Sequence, residues 1–321
     1  MSYKINSSFG NGNFEALSTM RKIDKITPEL KEKNCFDFTG FYENNPFNVL
    51  AIAVFLKEYR KRYSQYDFCV RPRKNNDFLS HLGFYKMLGV NFGKSVGEAR
   101  PTQNFVPITK IHFSGDFYSD IEEKAKNLAR LLNFDPSLEA FLIYAFVETI
   151  RNAYEHAKTD RVYVCAQKWP RYDLVEIAIA DAGCGVSEAL GKRFPNKNED
   201  ELLRLSLEPG ISACSNFYYL EKDDAWRNSG YGLYALKELA VLYDGSFLLC
   251  SGKKAILCSS NGIREFETAF PGTALYIRIK TNTNNDFKKM RSAVIAKGER
   301  LAKETDKAIK RASKSSGGSY N

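Results

Sequence analysis

Glu148, Asn152 and His156 recur at four-residue intervals in the stretch Glu148-Thr149-Ile150-Arg151-Asn152-Ala153-Tyr154-Glu155-His156. On a helix they fall at about 0°, 40° and 80° of the wheel, while Phe146, Ile150, Ala153 and Ala157 gather at about 140–200°. A carboxylate, a carboxamide and an imidazole thus share one stripe beside a packing face. Burying them without partners is costly, so a solvent-facing stripe and a ligand-facing stripe both stand open. Further on, Ile177-Ala178-Ile179-Ala180-Asp181-Ala182-Gly183-Cys184-Gly185 reads as a buried strand ending in D-x-G-x-G. Its carboxylate can accept a hydrogen bond from an amine, and its glycines let a flat ring approach the backbone. Gly230-Tyr231-Gly232-Leu233 opens a helical stretch. Free N–H groups and the positive end of the helix dipole suit an anion there, above all phosphate. Phe270-Pro271-Gly272-Thr273 reads as a turn entering a strand with a hydroxyl near the ligand.

These residues need elements to position them. The pattern predicts helices over about 118–132, 138–158 and 231–243, and strands over about 161–169, 173–180, 246–251, 255–259 and 273–280. A polar stretch with one short helix fills 186–228. Such length inside a compact domain is uncommon unless it works. Upstream, residues 1–34 read as loop. A strand over 36–40, a helix from Pro46 to about 64, a strand over 66–70 and a helix over 76–87 suggest a small α/β domain. Its order resembles a STAS-like module. Pro101 and Pro107 place the domain boundary near residue 115. The expected domains are 1–115, 116–281 and a basic helical tail over 282–321.

Composition sets the outer limits. The chain has 321 residues and a formal charge of +9, of which residues 287–314 hold +7 and the rest only +2. A nucleic-acid groove is not expected in the body, though the tail leaves that reading open. Phe287, Met290, Val294, Leu301 and Ala308 give the tail a seam, to be packed on its own domain or against a partner helix in a homodimer. The longest apolar run, Val49–Leu56, is too short to cross a bilayer. No secretory apolar region opens the chain, so a cytoplasmic protein is expected. The seven cysteines form no C-x-x-C, which argues against structural zinc and for reduced core thiols. No G-x-x-x-x-G-K-[ST] occurs.

In order and spacing, E-x-x-x-N on a helix, D-x-G-x-G, G-x-G-L at a helix start and G-T before a strand resemble the GHKL superfamily of ATPases. That superfamily includes gyrase, heat-shock chaperone ATPases, histidine kinases and mismatch-repair ATPases. The resemblance covers about residues 117–280, and the helix motif is most similar to the anti-sigma serine-kinase branch. It implies a Bergerat-type two-layer α/β sandwich that binds ATP and Mg²⁺ under a mobile lid over about 186–229. On that resemblance Asn152 would ligate Mg²⁺ and Glu148 would orient or deprotonate the nucleophile. Asp181 would accept from the adenine amine, and Gly183 and Gly185 would line the base pocket. Gly230 and Gly232 would donate to the phosphates, and Thr273 would support Asp181 or a water. His156 would meet the phosphates or pack. Lys192, Arg193, Lys197, Arg204, Lys222 and Arg227 are the lid's candidate cations. Cys184, inside the nucleotide loop, reads as a tolerated small residue. His81 lacks the acidic neighbour and downstream proline of a kinase acceptor, and His112 sits in an expected strand, so a histidine autokinase is not expected. About 40 residues follow the core, which argues against a topoisomerase or full chaperone. Two functions remain: Mg²⁺-dependent ATP hydrolysis or transfer to a protein serine or threonine, and a nucleotide-gated module that regulates a protein partner with little turnover.

Overall fold

The computed structural model describes residues 2–6, 14–74, 77–94, 104–113, 117–213, 229–283, 285–305 and 312–313. A parallel sheet comes first, in the order β1 (Ser2–Lys4), β2 (Lys33–Asp37) and β3 (Asp67–Arg71). Helices α1 (Glu15–Lys25) and α2 (Pro46–Arg62) connect its strands. Asn45 caps α2, its side chain accepting from the N–H groups of Phe47 and Asn48, and Pro46 supplies the first turn. Every residue of α2 from Pro46 to Leu56 is buried. A helix apolar on all sides must be covered on all sides, and α2 meets that need by lying between two sheets. The short helices α3 (Asp77–His81) and α4 (Phe84–Met87) follow.

The second sheet is antiparallel, built from β4 (Phe105–His112), β5 (Arg161–Trp169), β6 (Leu174–Asp181), β7 (Ser246–Ser259) and β8 (Gly262–Lys280), in the order β4-β5-β6-β8-β7. Its two faces follow the period-two rule. Val162, Val164, Ala166, Val175, Ile177 and Ile179 face the core formed with α5 (Phe117–Arg130), α6 (Pro136–His156), α9 (Gly232–Leu242) and α10 (Phe287–Glu304). Tyr163, Cys165, Ala178, Ala180, Ala274 and Tyr276 face α1 and α2 in a second core. Covered on both sides, β6 is buried along its whole length. Between β6 and α9 lie α7 (Gly185–Gly191) and α8 (Glu199–Leu205). Among the described residues no helix is long and apolar enough to cross a membrane.

Several expectations change. Residues 15–25, expected as loop, form α1, because Ala16, Leu17, Met20 and Ile23 make a buried helical stripe among polar neighbours. The helix expected over 76–87 breaks at Gly83, which adopts φ 83°. β4 lies before the expected boundary at 115 yet pairs with β5, and the second core joins residues from both sides of that boundary. The strands expected over 246–251 and 255–259 are one strand, bent where the register shifts around Gly252. Phe270-Pro271-Gly272-Thr273 is no turn into a strand: it lies inside β8, where that same irregularity accommodates proline. On α10 the buried face is Phe287, Arg291, Val294, Ile295, Gly298 and Ala302, while Leu301 points outward and Ala308 lies outside the described residues. The face follows 3.6-residue spacing, and it takes an arginine where the expected seam had Met290.

Candidate functional site

A cleft opens between the end of α6, the end of β6, α7 and the start of α9. Asn152, His156, Asp181, Gly185, Gly230, Gly232 and Thr273 all line it, though they come from four separate stretches of sequence. Val162, Ile179 and Leu275 give it an apolar floor, and Ser206 and Ile211–Ala213 form the opposite wall. The cavity measures about 100 Å³, below the ~300–1,000 Å³ of ordinary small-molecule pockets.

Asp181 ends β6 opposite Thr273 in the ladder. Its Oδ1 accepts from the Gly183 N–H at 2.8 Å. Burial pushes its carboxyl up to about 7, against the downward pull of the Gly183 and Thr273 N–H groups. The result is an aimed acceptor whose charge changes near neutrality. The loop after it is fixed by contacts that tolerate no side chain. Gly183 does not line the cleft: its Cα sits against the carbonyl of Ala157, and the Cys184 N–H donates to that carbonyl at 2.8 Å. The Cys184 thiol donates to the His156 carbonyl at 3.1 Å. Gly185, at φ 72°, faces Ser251 and Gly272. Gly272 in turn abuts the Asp181 backbone.

Ser251 is a positioning residue that no motif announced. Its hydroxyl accepts from the Val186 N–H at 2.9 Å and donates to the Gly272 carbonyl at 2.8 Å, tying α7 to β8. Its only sequence signal is a serine directly after the apolar run Phe247–Cys250.

At the other end of the cleft, α9 starts at Gly232, and among the described residues no side chain caps it. A helix start suits an anion through the positive end of its dipole. Gly230, at φ 72°, packs on the Ile211 backbone, and its carbonyl accepts from Gly210 at 3.1 Å.

Glu148 lies behind this point, not in the cleft. It is fully buried, and its Oε2 rests against Gly232 where any Cβ would collide. The Arg151 Nη2 donates to that same oxygen at 2.7 Å. Burial pushes the Glu148 carboxyl up, while Arg151 and Arg291 pull it down. Arg151 is itself buried, with Glu155 3.6 Å from its Nε. Arg291 reaches in from α10 across the Tyr144 and Phe287 rings. His156 lines the cleft as a neutral imidazole, since burial and the Arg151 charge lower its pKa to about 4.

Among the described residues, the expected cations Lys192, Arg193, Lys197 and Arg204 do not line the cleft. Arg193 donates to the Ser212 carbonyl at 2.6 Å and so braces the wall. Arg204 pairs with Glu265, Lys197 lies near Glu201, and Lys192 is exposed. Lys222 and Arg227 lie outside the described residues. Where one short helix was expected, α7 and α8 form, the second secured by a capping box between Asn198 and Glu201. Among the described residues no group of three or more His, Cys, Asp or Glu could hold a metal ion. Asn152 offers one hard oxygen, which suits Mg²⁺ only if a bound ligand supplies most of the coordination. No family model matches the chain, and neither a curated protein nor a solved structure matches it.

Proposed function

We propose that this chain is a GHKL-type ATP-binding protein and that its second sheet with α5, α6 and α9 is a Bergerat-type sandwich. One observation carries the reading. Asn152, Asp181, Gly185, Gly230, Gly232 and Thr273, named from four separate motifs, line one cleft. Adenine enters over the apolar floor, and its amine donates to Asp181. The phosphates lie toward the start of α9. Asn152 would hold a Mg²⁺ carried by the bound nucleotide, and that ion would neutralise phosphate charge. A nucleoside triphosphate exceeds the present cavity, so the wall of 206–213 moves outward on binding. The parallel-sheet unit packed on the other face resembles a STAS-like regulator, and the function served is nucleotide-dependent control of a protein partner.

Glu148 decides between turnover and gating. A general base must reach the nucleophile's proton, whereas Glu148 is held by Arg151 outside the cleft. That ion pair favours a nucleotide-gated interaction module over a rapid ATPase or kinase. Calorimetry with ADP and ATP, with and without Mg²⁺, tests the binding. No heat with any of them overturns the assignment. Phosphate release then separates the readings. Equal slow release by the wild type and Glu148→Ala, with binding retained, supports gating. A rate lost in Glu148→Ala supports an enzyme.

A further inference from the structure

Two cysteines far from the cleft face each other. Cys35 of β2 and Cys69 of β3 are register partners in the parallel sheet. Register partners on adjacent strands lie about 4.8 Å apart, within the roughly 4.4–6.8 Å Cα separation that a disulfide spans. They share the outer face: Cys69 is exposed and Cys35 half-buried, whereas Cys165, Cys250 and Cys258 are buried in strands. Beside them on the same face, Arg71 and Asp37 form a pair at 3.0 Å. Among the described residues β3 is an edge strand of this sheet, and Cys69 is exposed on it.

We propose that Cys35 and Cys69 are a reversible redox modification site, oxidised by low-molecular-weight disulfides to a disulfide between neighbouring strands. The exposed Cys69 thiolate attacks one sulfur of the small disulfide and expels one small thiolate. Cys35 loses its proton to solvent, attacks the Cys69 sulfur and expels the second. Two protein thiols are oxidised by two electrons, and one small disulfide is reduced to two thiols. Burial and the adjacent thiol push Cys35 up to about 11, which fits Cys69 as the entry point and Cys35 as the resolving thiol. A bond exposed at a sheet edge belongs to the easily reduced class.

The test treats the full chain with glutathione disulfide, quenches with acid, alkylates and maps peptides by mass spectrometry. The expected result is joint loss of alkylation at Cys35 and Cys69, a linked peptide pair and recovery with dithiothreitol. In Cys35→Ser, Cys69 should accumulate the glutathione adduct at least tenfold above wild type. The proposal is overturned if both thiols of the wild type remain alkylatable, if its Cys69 adduct accumulates as in Cys35→Ser, or if the link joins other cysteines.

Discussion

Asp181 holds its charge poorly because burial takes its carboxylate out of water, and only the Gly183 and Thr273 N–H groups pull the other way. The ionised form holds an amine donor more strongly, so binding shifts the carboxyl toward that form. Adenine-nucleotide affinity should therefore weaken about tenfold per pH unit below 7, and calorimetry from pH 5 to 8.5 reads it. Asp181→Asn should bind about 10–100-fold more weakly, the value of one hydrogen bond to a charged group, and lose that pH dependence. The sign for stability runs the other way. A carboxyl raised from 3.8 to about 7 binds more protons folded than unfolded across that window, so the empty protein loses stability as pH rises from about 4 to 7. His156, lowered from 6.5 to about 4, works against this by adding stability as pH rises over the same range. Asp181→Asn should remove its share of the falling slope and leave the raised carboxyl of Glu43 opposed by His156, a change visible in thermal melts between pH 5 and 8. Ser251→Ala should cost about 1–3 kcal/mol by leaving the Val186 N–H buried without its acceptor.

At the level of elements, α10 is structural and not merely a basic tail. Gly298 lets it approach α9 so closely that a Cβ there would strike the Tyr234 ring, with Tyr231 and Pro209 close behind. Gly298→Val should separate the two helices and shift the start of α9. The expected result is a lower melting temperature together with weaker nucleotide binding. A fall in melting temperature alone, with affinity unchanged, would show that α10 does not set the geometry of the cleft. What could be read from residue types was what local physics fixes. Pro46 announced α2, and an unbroken apolar run into D-x-G-x-G announced β6. What could not be read depended on distant partners. Arg291 read only as one of the tail's charges and Arg151 carried no signal, because nothing local shows that Glu148 and the Tyr144 ring await them. β4 was obscured by Pro107 and by the mixed burial of an edge strand. α1 was obscured by a stripe of only four apolar residues.

Over the whole molecule, the two sheets are joined through a buried polar junction. Glu176 on β6 accepts from Trp169 Nε1 at 2.7 Å, from the Tyr276 hydroxyl and from Asn45 Nδ2 at 3.4 Å. Asn45 is the cap of α2, so the first unit is anchored to the second sheet by the residue that starts its central helix. Glu43 lies beside it, accepting from Asn44, Asn45 and Asn48, and burial raises it to about 7. Around this junction Phe14 and Phe47 pack edge-on to Tyr276. A fragment beginning at residue 104 keeps all five strands of the second sheet but bares Tyr163, Leu248 and Tyr276. Such an exposed apolar face invites aggregation. The fragment should be insoluble or bind an apolar dye, and the full chain should unfold in one transition. Phe47→Ala, within the intact chain, should cost about 3–5 kcal/mol. If the two units are one cooperative body, that loss should move melting followed by Trp169 fluorescence and melting followed by nucleotide release by equal amounts. A separate, unshifted transition for nucleotide release would show that the sheet face and α2 fold independently, and regulation across the junction would then have no physical route.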